Sequence, residues 1–147
     1  MPRRLRSVSE VVIADTGPLV AFLVRQAQHH RWACEMMASF RPPLLTGEPV
    51  LAEAAHLLRR HGCETDPLLA LIERGVLNIA FSVESELAPL RQLMRRCRDQ
   101  PMSLADACLV RLAELHDTPR VWTLDSDFRV YRRLGRLVIP TLMPDAV

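Results

Sequence analysis

An α/β fold with a mainly parallel sheet is the class this sequence predicts, and two observations carry that prediction. Short apolar runs of β type alternate with longer stretches of helical apolar spacing along the 147 residues. Turn-forming residues separate them, as at Thr16-Gly17-Pro18, Arg41-Pro42-Pro43, Gly62 and Pro101.

The run VVIA (11–14) is the first expected strand and leads directly into Asp15. Pro18 suits the first turn of a helix that LVAFLV continues. A second helix is expected over 29–40, where Trp32, Met36 or Met37, and Phe40 recur at helical spacing. Leu44-Leu45 makes a very short strand, and Pro49 then opens the helix VLAEAAHLLRR, which Gly62 stops. A short helix over 67–74, ended by Gly75, precedes the strand LNIAF (77–81). Residues 84–98 read as helix with a basic end at Arg95, Arg96 and Arg98. After Pro101, SLADACLVRLAELHD (103–117) forms the next helix, and VWTL (121–124) a strand. DFRVYRRL is expected as a short helix and LVIPTL (137–142) as the last strand.

No internal repeat, low-complexity segment or linker divides the chain, so one domain is expected over 11–147 behind a basic tail at 1–10. Charged residues make up 24% and hydrophobic residues 49%, the balance of a chain that can bury a core. No apolar run approaches the roughly 18 residues of a membrane span. MPRRLRSVSE is followed by neither an apolar h-region nor a cleavage site, and a cytoplasmic protein is expected. Cys34, Cys63, Cys97 and Cys108 lack zinc-site spacing and read as reduced thiols. All 19 basic residues are arginine, which genomic base composition can explain as readily as phosphate binding. A net charge of +2 permits a nucleic-acid partner without requiring one.

Four acids stand out. Asp15 follows a strand directly, at the sheet edge where open α/β folds bind ligands, although capping the next helix would explain it equally well. Asp106 shares a helix face with Leu109, Val110 and Ala113. Ser103-x-x-Asp106 resembles a capping box, yet a carboxylate on so apolar a helix needs a donor, a basic group or a metal. Glu53 alone is better explained by a solvated stripe with His56 and Arg60. Asp125 follows the strand VWTL, whereas Asp127 beside Phe128 could cap a helix, so Asp125 ranks first as a metal-site group. Two acids at strand ends and two in opening helical turns would meet at one edge of a parallel sheet. Carboxylates sharing a site repel by about 4 kcal/mol per close pair, so protons or cations must occupy such a cluster. Oxygen donors without histidine or cysteine favour Mg²⁺ or Mn²⁺, which can activate water and stabilise displacement at a phosphodiester.

The segments VVIADTGPLVAFL, VLAEAAHLLRR, SLADACLVRLAE and WTLDSDF resemble, in order and spacing, the four acidic motifs of PIN-domain nucleases. The likeness is nearest to the VapC-type toxins of toxin–antitoxin systems and covers Val11 to Met143. It implies a three-layer α/β/α sandwich and RNA cleavage leaving a 5′-phosphate and a 3′-hydroxyl. It also implies a homodimer and a small antitoxin, encoded nearby, that buries the site. The metal site would then be Asp15, Glu53, Asp106 and Asp125, with Asp127 as a further acid or a helix starter. Thr16, Ser103 and Thr123 match small hydroxyl positions that orient carboxylates or water.

Arg25, Arg59, Arg60, Arg129, Arg132 and Arg133 lie near these motifs as candidate phosphate contacts, each equally readable as solvated surface. Trp32, Trp122 and Phe128 read as core. Two alternatives stand beside the nuclease. One is a phosphatase using Asp125 and Asp127, as in haloacid-dehalogenase-like enzymes, although that family places its pair near the chain start. The other is a catalytically inert PIN-like module that binds RNA or protein.

Overall fold

In the computed structural model, which describes Glu10 to Asp145, five parallel strands make the central sheet. The strands are β1 (Val11–Ala14), β2 (Leu44–Gly47), β3 (Leu77–Phe81), β4 (Pro119–Trp122) and β7 (Thr141–Leu142). Their order across the sheet is β3-β2-β1-β4-β7. Helices α1 (Thr16–Leu23) and α2 (His30–Ser39) connect β1 to β2, and α3 (Glu48–Arg60) and α4 (Asp66–Glu73) connect β2 to β3. Helices α5 (Leu87–Arg96) and α6 (Leu104–Glu114) carry the chain back to β4. The basic tail expected at 1–10 lies outside the described residues apart from Glu10.

The order of the strands dictates the layers. From β1 to β3 the chain steps one way across the sheet, and right-handed crossovers put α1 to α4 on one face. The return to β4 reverses the step and sends α5 and α6 to the other face. α1 contacts α2, α3 and α4, while α6 contacts α5, runs against β1, β2, β3 and β4, and also meets α3. Burial follows the pattern. Ile13, Ala14, Val121 and Trp122 in the central strands are fully buried, and α6 buries Ala107, Cys108, Leu109, Val110, Leu112 and Ala113. At roughly 25 cal/mol per Å² of apolar surface removed from water, these side chains supply most of the cohesion.

Trp122 and Phe128 are core residues, as expected, and Trp32 and Phe40 pack on Trp122. The four cysteines are free thiols. No helix among the described residues is long and apolar enough to cross a membrane.

The C-terminal third departs from the sequence reading. DFRVYRRL is not a helix: a 3₁₀ turn covers Ser126–Arg129, and β5 (Arg132–Arg133) pairs antiparallel with β6 (Leu137–Val138). Leu134 and Gly135 adopt φ of 53° and 76°, a left-handed reversal that ends any helix and turns a hairpin. LVIPTL is likewise two strands, because its first pair belongs to that hairpin and only Thr141–Leu142 joins the sheet. Strand β4 starts at Pro119 and ends at Trp122, two residues earlier than VWTL would end it.

Candidate active site

The site lies where the strand order reverses. Strands β1 and β4 are neighbours whose outgoing connections diverge, and the crevice beyond their carboxyl ends is the place where open parallel sheets bind ligands. Asp15 marks the handover from sheet to helix. Its amide still donates to the Trp122 carbonyl at 3.0 Å, while its Oδ1 accepts the Thr16 amide at 2.8 Å and caps α1. Its Oδ2 accepts the Thr123 hydroxyl at 2.7 Å. The same hydroxyl oxygen accepts the Asp125 amide at 2.9 Å, so one buried threonine ties the acid after β1 to the acid after β4. A Cβ on Gly17 would stand 3.2 Å from Leu124 Cβ, so glycine there allows the two loops to approach.

The other acids come from helices. Asp106 is the third residue of α6, and the expected capping box is real: Ser103 Oγ accepts the Asp106 amide at 3.0 Å and Asp106 Oδ2 accepts the Ser103 amide at 3.3 Å. That Oδ2 also accepts the Tyr131 hydroxyl at 3.1 Å. Glu53 sits in the second turn of α3 rather than the first, because the helix begins at Glu48. It is exposed, as are His56 and Arg60, yet its Oε2 accepts the Thr16 hydroxyl at 3.2 Å. Asp15, Glu53, Asp106 and Asp125 together line a cleft of about 410 Å³ with Thr16, Gly17, Leu57 and Leu124.

Asp127 does not line that cleft. Its amide donates to Asp125 Oδ1 at 2.9 Å, so Asp125 and not Asp127 caps the 3₁₀ turn. Ser103 is exposed at the helix cap and also stays outside the lining. A larger groove of about 880 Å³ lies between the start of α3 and the end of β3, lined by Glu48, Pro49, Phe81 and Val83 among others. The four acids line the smaller cleft and not this groove.

Comparison with known proteins agrees with this architecture. No family model matches the sequence. Over 127 residues the chain is 27% identical to Ribonuclease VapC26 of Mycobacterium tuberculosis, spanning 84% of this chain and 94% of that protein. It superposes on the crystal structure of VapC20 from the same organism, a sarcin–ricin-loop-cleaving toxin, with a TM-score of 0.71. That match is 22% identical and covers 86% of this chain and 98% of the other. The chain shares the fold of VapC20.

The electrostatics of the cleft are those of a site short of positive charge. Burial pushes the Asp15 carboxyl up to about 6; the Thr123 and Thr16 hydrogen bonds oppose the rise, and the fields of Asp106 and Asp125 add to it. Burial also raises Asp106, against the Ser103 and Tyr131 donors that lower it. Among the described residues no basic side chain lines the cleft. Among the described residues no three acidic, histidine or cysteine side chains already converge as a metal cage. The donor set still fits a hard divalent cation: oxygen ligands only, a buried carboxylate held above its ordinary range, and no competing basic side chain among the described residues.

Two features escaped the sequence reading. Tyr131, fully buried, reaches across from the loop after the 3₁₀ turn to Asp106, and only the folded hairpin brings them together. Arg133, a candidate phosphate contact by sequence, is committed elsewhere, since its guanidinium donates to the carbonyls of Ala113, His116 and Asp117 at the end of α6. Arg132 bonds the carbonyls of Arg129, Val130 and Tyr131. Arg25, Arg59, Arg60 and Arg129 are exposed.

Proposed function

We propose that this PIN domain is a divalent-cation-dependent endoribonuclease that hydrolyses RNA phosphodiester bonds, and that it serves as the toxin of a toxin–antitoxin pair. The observation that carries this reading is the cleft at the sheet's reversal point, which four carboxylates line and where Asp15 is held at about 6. The similarity to Ribonuclease VapC26 and to the RNA-cleaving toxin VapC20 supports RNA as the substrate.

Asp15, Asp106, Asp125 and Glu53 would hold Mg²⁺ or Mn²⁺, with Asp127, outside the cleft lining, as a further acid. When bound, the cation supplies Lewis-acid activation of water and neutralises charge developing at phosphorus. The chain's own residues do the rest. Thr123 fixes Asp15 and the Asp125 loop relative to one another. Thr16 holds Glu53, whose exposure suits a group that meets substrate or orients the attacking water at the cleft mouth. Ser103 fixes the start of α6 and with it Asp106. A homodimer, a small antitoxin that covers the acids, and a cytoplasmic RNA target complete the proposal.

Purified protein should cleave RNA in Mg²⁺ or Mn²⁺ and stop on addition of EDTA. Cleavage that persists in excess EDTA, or no cleavage of any RNA pool free of antitoxin, would refute it. Hydrolysis of a phosphomonoester but not RNA would support a phosphatase, although the cleft presents Asp125 without Asp127. RNA binding without cleavage would mark an inert module.

A further inference from the structure

Tyr131 has an arrangement that packing alone does not require. Its ring is buried edge-on against Phe128, with centroids 5.3 Å apart, and its hydroxyl donates to Asp106 Oδ2 at 3.1 Å across 25 residues of sequence. Its amide donates to the Asp127 carbonyl at 3.0 Å, so the same residue is anchored in the loop that carries Asp125. Asp106 Oδ2 therefore has two donors, Tyr131 Oη and the Ser103 amide, whereas Oδ1 accepts no hydrogen bond among the described residues.

We propose that Tyr131 is a positioning residue: it occupies Oδ2 of Asp106, sets the carboxylate's rotation, and leaves Oδ1 as the oxygen offered to a divalent cation. This rests on the nuclease reading above. The capping box alone holds Oδ2 by a long bond of 3.3 Å at an exposed helix start. The phenol adds a second, directional donor from a rigid ring, and it links the acid on α6 to the acid after β4. Outer donors of this kind fix ligand orientation, and their removal commonly lowers metal affinity or activity by about 10- to 100-fold.

The test compares Y131F, F128L and the wild type in three measurements: Mn²⁺ binding by calorimetry without RNA, RNA cleavage against Mn²⁺ concentration, and thermal stability. Y131F removes only the hydroxyl, whereas F128L loosens the same packing and spares it. The expected result is an Mn²⁺ affinity about tenfold lower in Y131F, with the half-saturating Mn²⁺ concentration raised to match and the KM for RNA unchanged. F128L should lose more thermal stability than Y131F yet bind Mn²⁺ as the wild type does. Wild-type Mn²⁺ binding and cleavage in Y131F would overturn the inference and leave the nuclease assignment standing. Equal loss of binding in F128L would overturn it too, because packing would then be the cause. A wild-type protein that neither binds Mn²⁺ nor cleaves RNA would overturn both.

Discussion

The Thr123 hydroxyl donates to Asp15 Oδ2 at 2.7 Å, the shortest side-chain link between the two central strands' acidic loops. Both residues are buried, and the hydroxyl oxygen is simultaneously an acceptor for the Asp125 amide. Valine has the same shape and neither function. T123V should therefore leave a buried carboxylate and a backbone N–H each short of a partner, costing about 1–3 kcal/mol of stability near neutral pH. Cleavage should fall about 10- to 100-fold, while T123S retains most of it. Denaturant unfolding and a cleavage assay on both variants check this; equal loss in T123S and T123V would assign the effect to shape.

Asp15 makes stability depend on pH in an unusual direction. Its carboxyl titrates at about 6 in the folded chain against a reference of 3.8, chiefly through burial. The folded state thus binds this proton more tightly than the unfolded state. The associated stability is fully present below the unfolded value and is lost as pH rises through the folded one, about 3 kcal/mol in all at roughly 1.4 kcal/mol per unit. In EDTA, D15N should be inactive yet more stable than the wild type at about pH 7.5, with the gap narrowing toward about pH 4.5. Urea denaturation at the two pH values measures it. A gap that does not change with pH would show that the Asp15 charge is not strained.

The same negative field predicts a linkage between cation and fold. Mn²⁺ or Mg²⁺ should raise the wild-type Tm, by a stabilisation near 2.7 kcal/mol at a hundredfold excess over Kd. D106N and D125N should lose most of that rise and at least about 100-fold in cleavage, while their EDTA Tm stays at or above that of the wild type. Glu53 is exposed and held by one 3.2 Å bond, so E53Q should leave stability unchanged and impair cleavage. Thermal scans with and without the cation decide the point. An identical cation-induced shift in D106N would remove Asp106 from the site.

How far the sequence disclosed this depended on how local each cause was. Asp15 was legible because a strand, an acid and Thr-Gly-Pro follow one another, and the strand-helix alternation implied the parallel sheet. Capping and a place in the cleft, competing explanations for Asp15 and Asp106 by sequence, hold together: the carboxylates that start the helices also line the cleft. Glu53 could not be recognised alone, since its exposure with His56 and Arg60 is that of a surface stripe. The segment after Asp127 was misread because Phe128 and Tyr131 have helical spacing. The left-handed turn at Leu134-Gly135 and the pairing of Arg132 with Val138 are settled by tertiary structure. Tyr131 was hidden with them.

Arg133 illustrates how that hairpin holds the site in place. Its Nη1 donates to the His116 carbonyl at 2.9 Å and to Ala113 at 3.4 Å, and its Nη2 reaches Asp117 at 3.4 Å. These carbonyls lie in the last turn of α6 and the residues just after it, at the negative pole of the helix, and that of Ala113 also accepts the His116 amide at 3.4 Å. Glu114 of the same turn accepts the Leu134 amide, so the hairpin and the helix end clasp each other two residues beyond Tyr131 and its bond to Asp106. Losing charge-assisted bonds of this kind costs about 1.5–3 kcal/mol, so R133A should unfold at correspondingly lower denaturant. R133K should recover only part, because an ammonium cannot span three carbonyls as a planar fork does. R129A, at an exposed position, should leave stability unchanged. Denaturant unfolding and RNA-binding titrations of the three variants separate the roles. If R133A kept full stability and weakened RNA binding as a phosphate contact would, the clasp would not be what Arg133 provides.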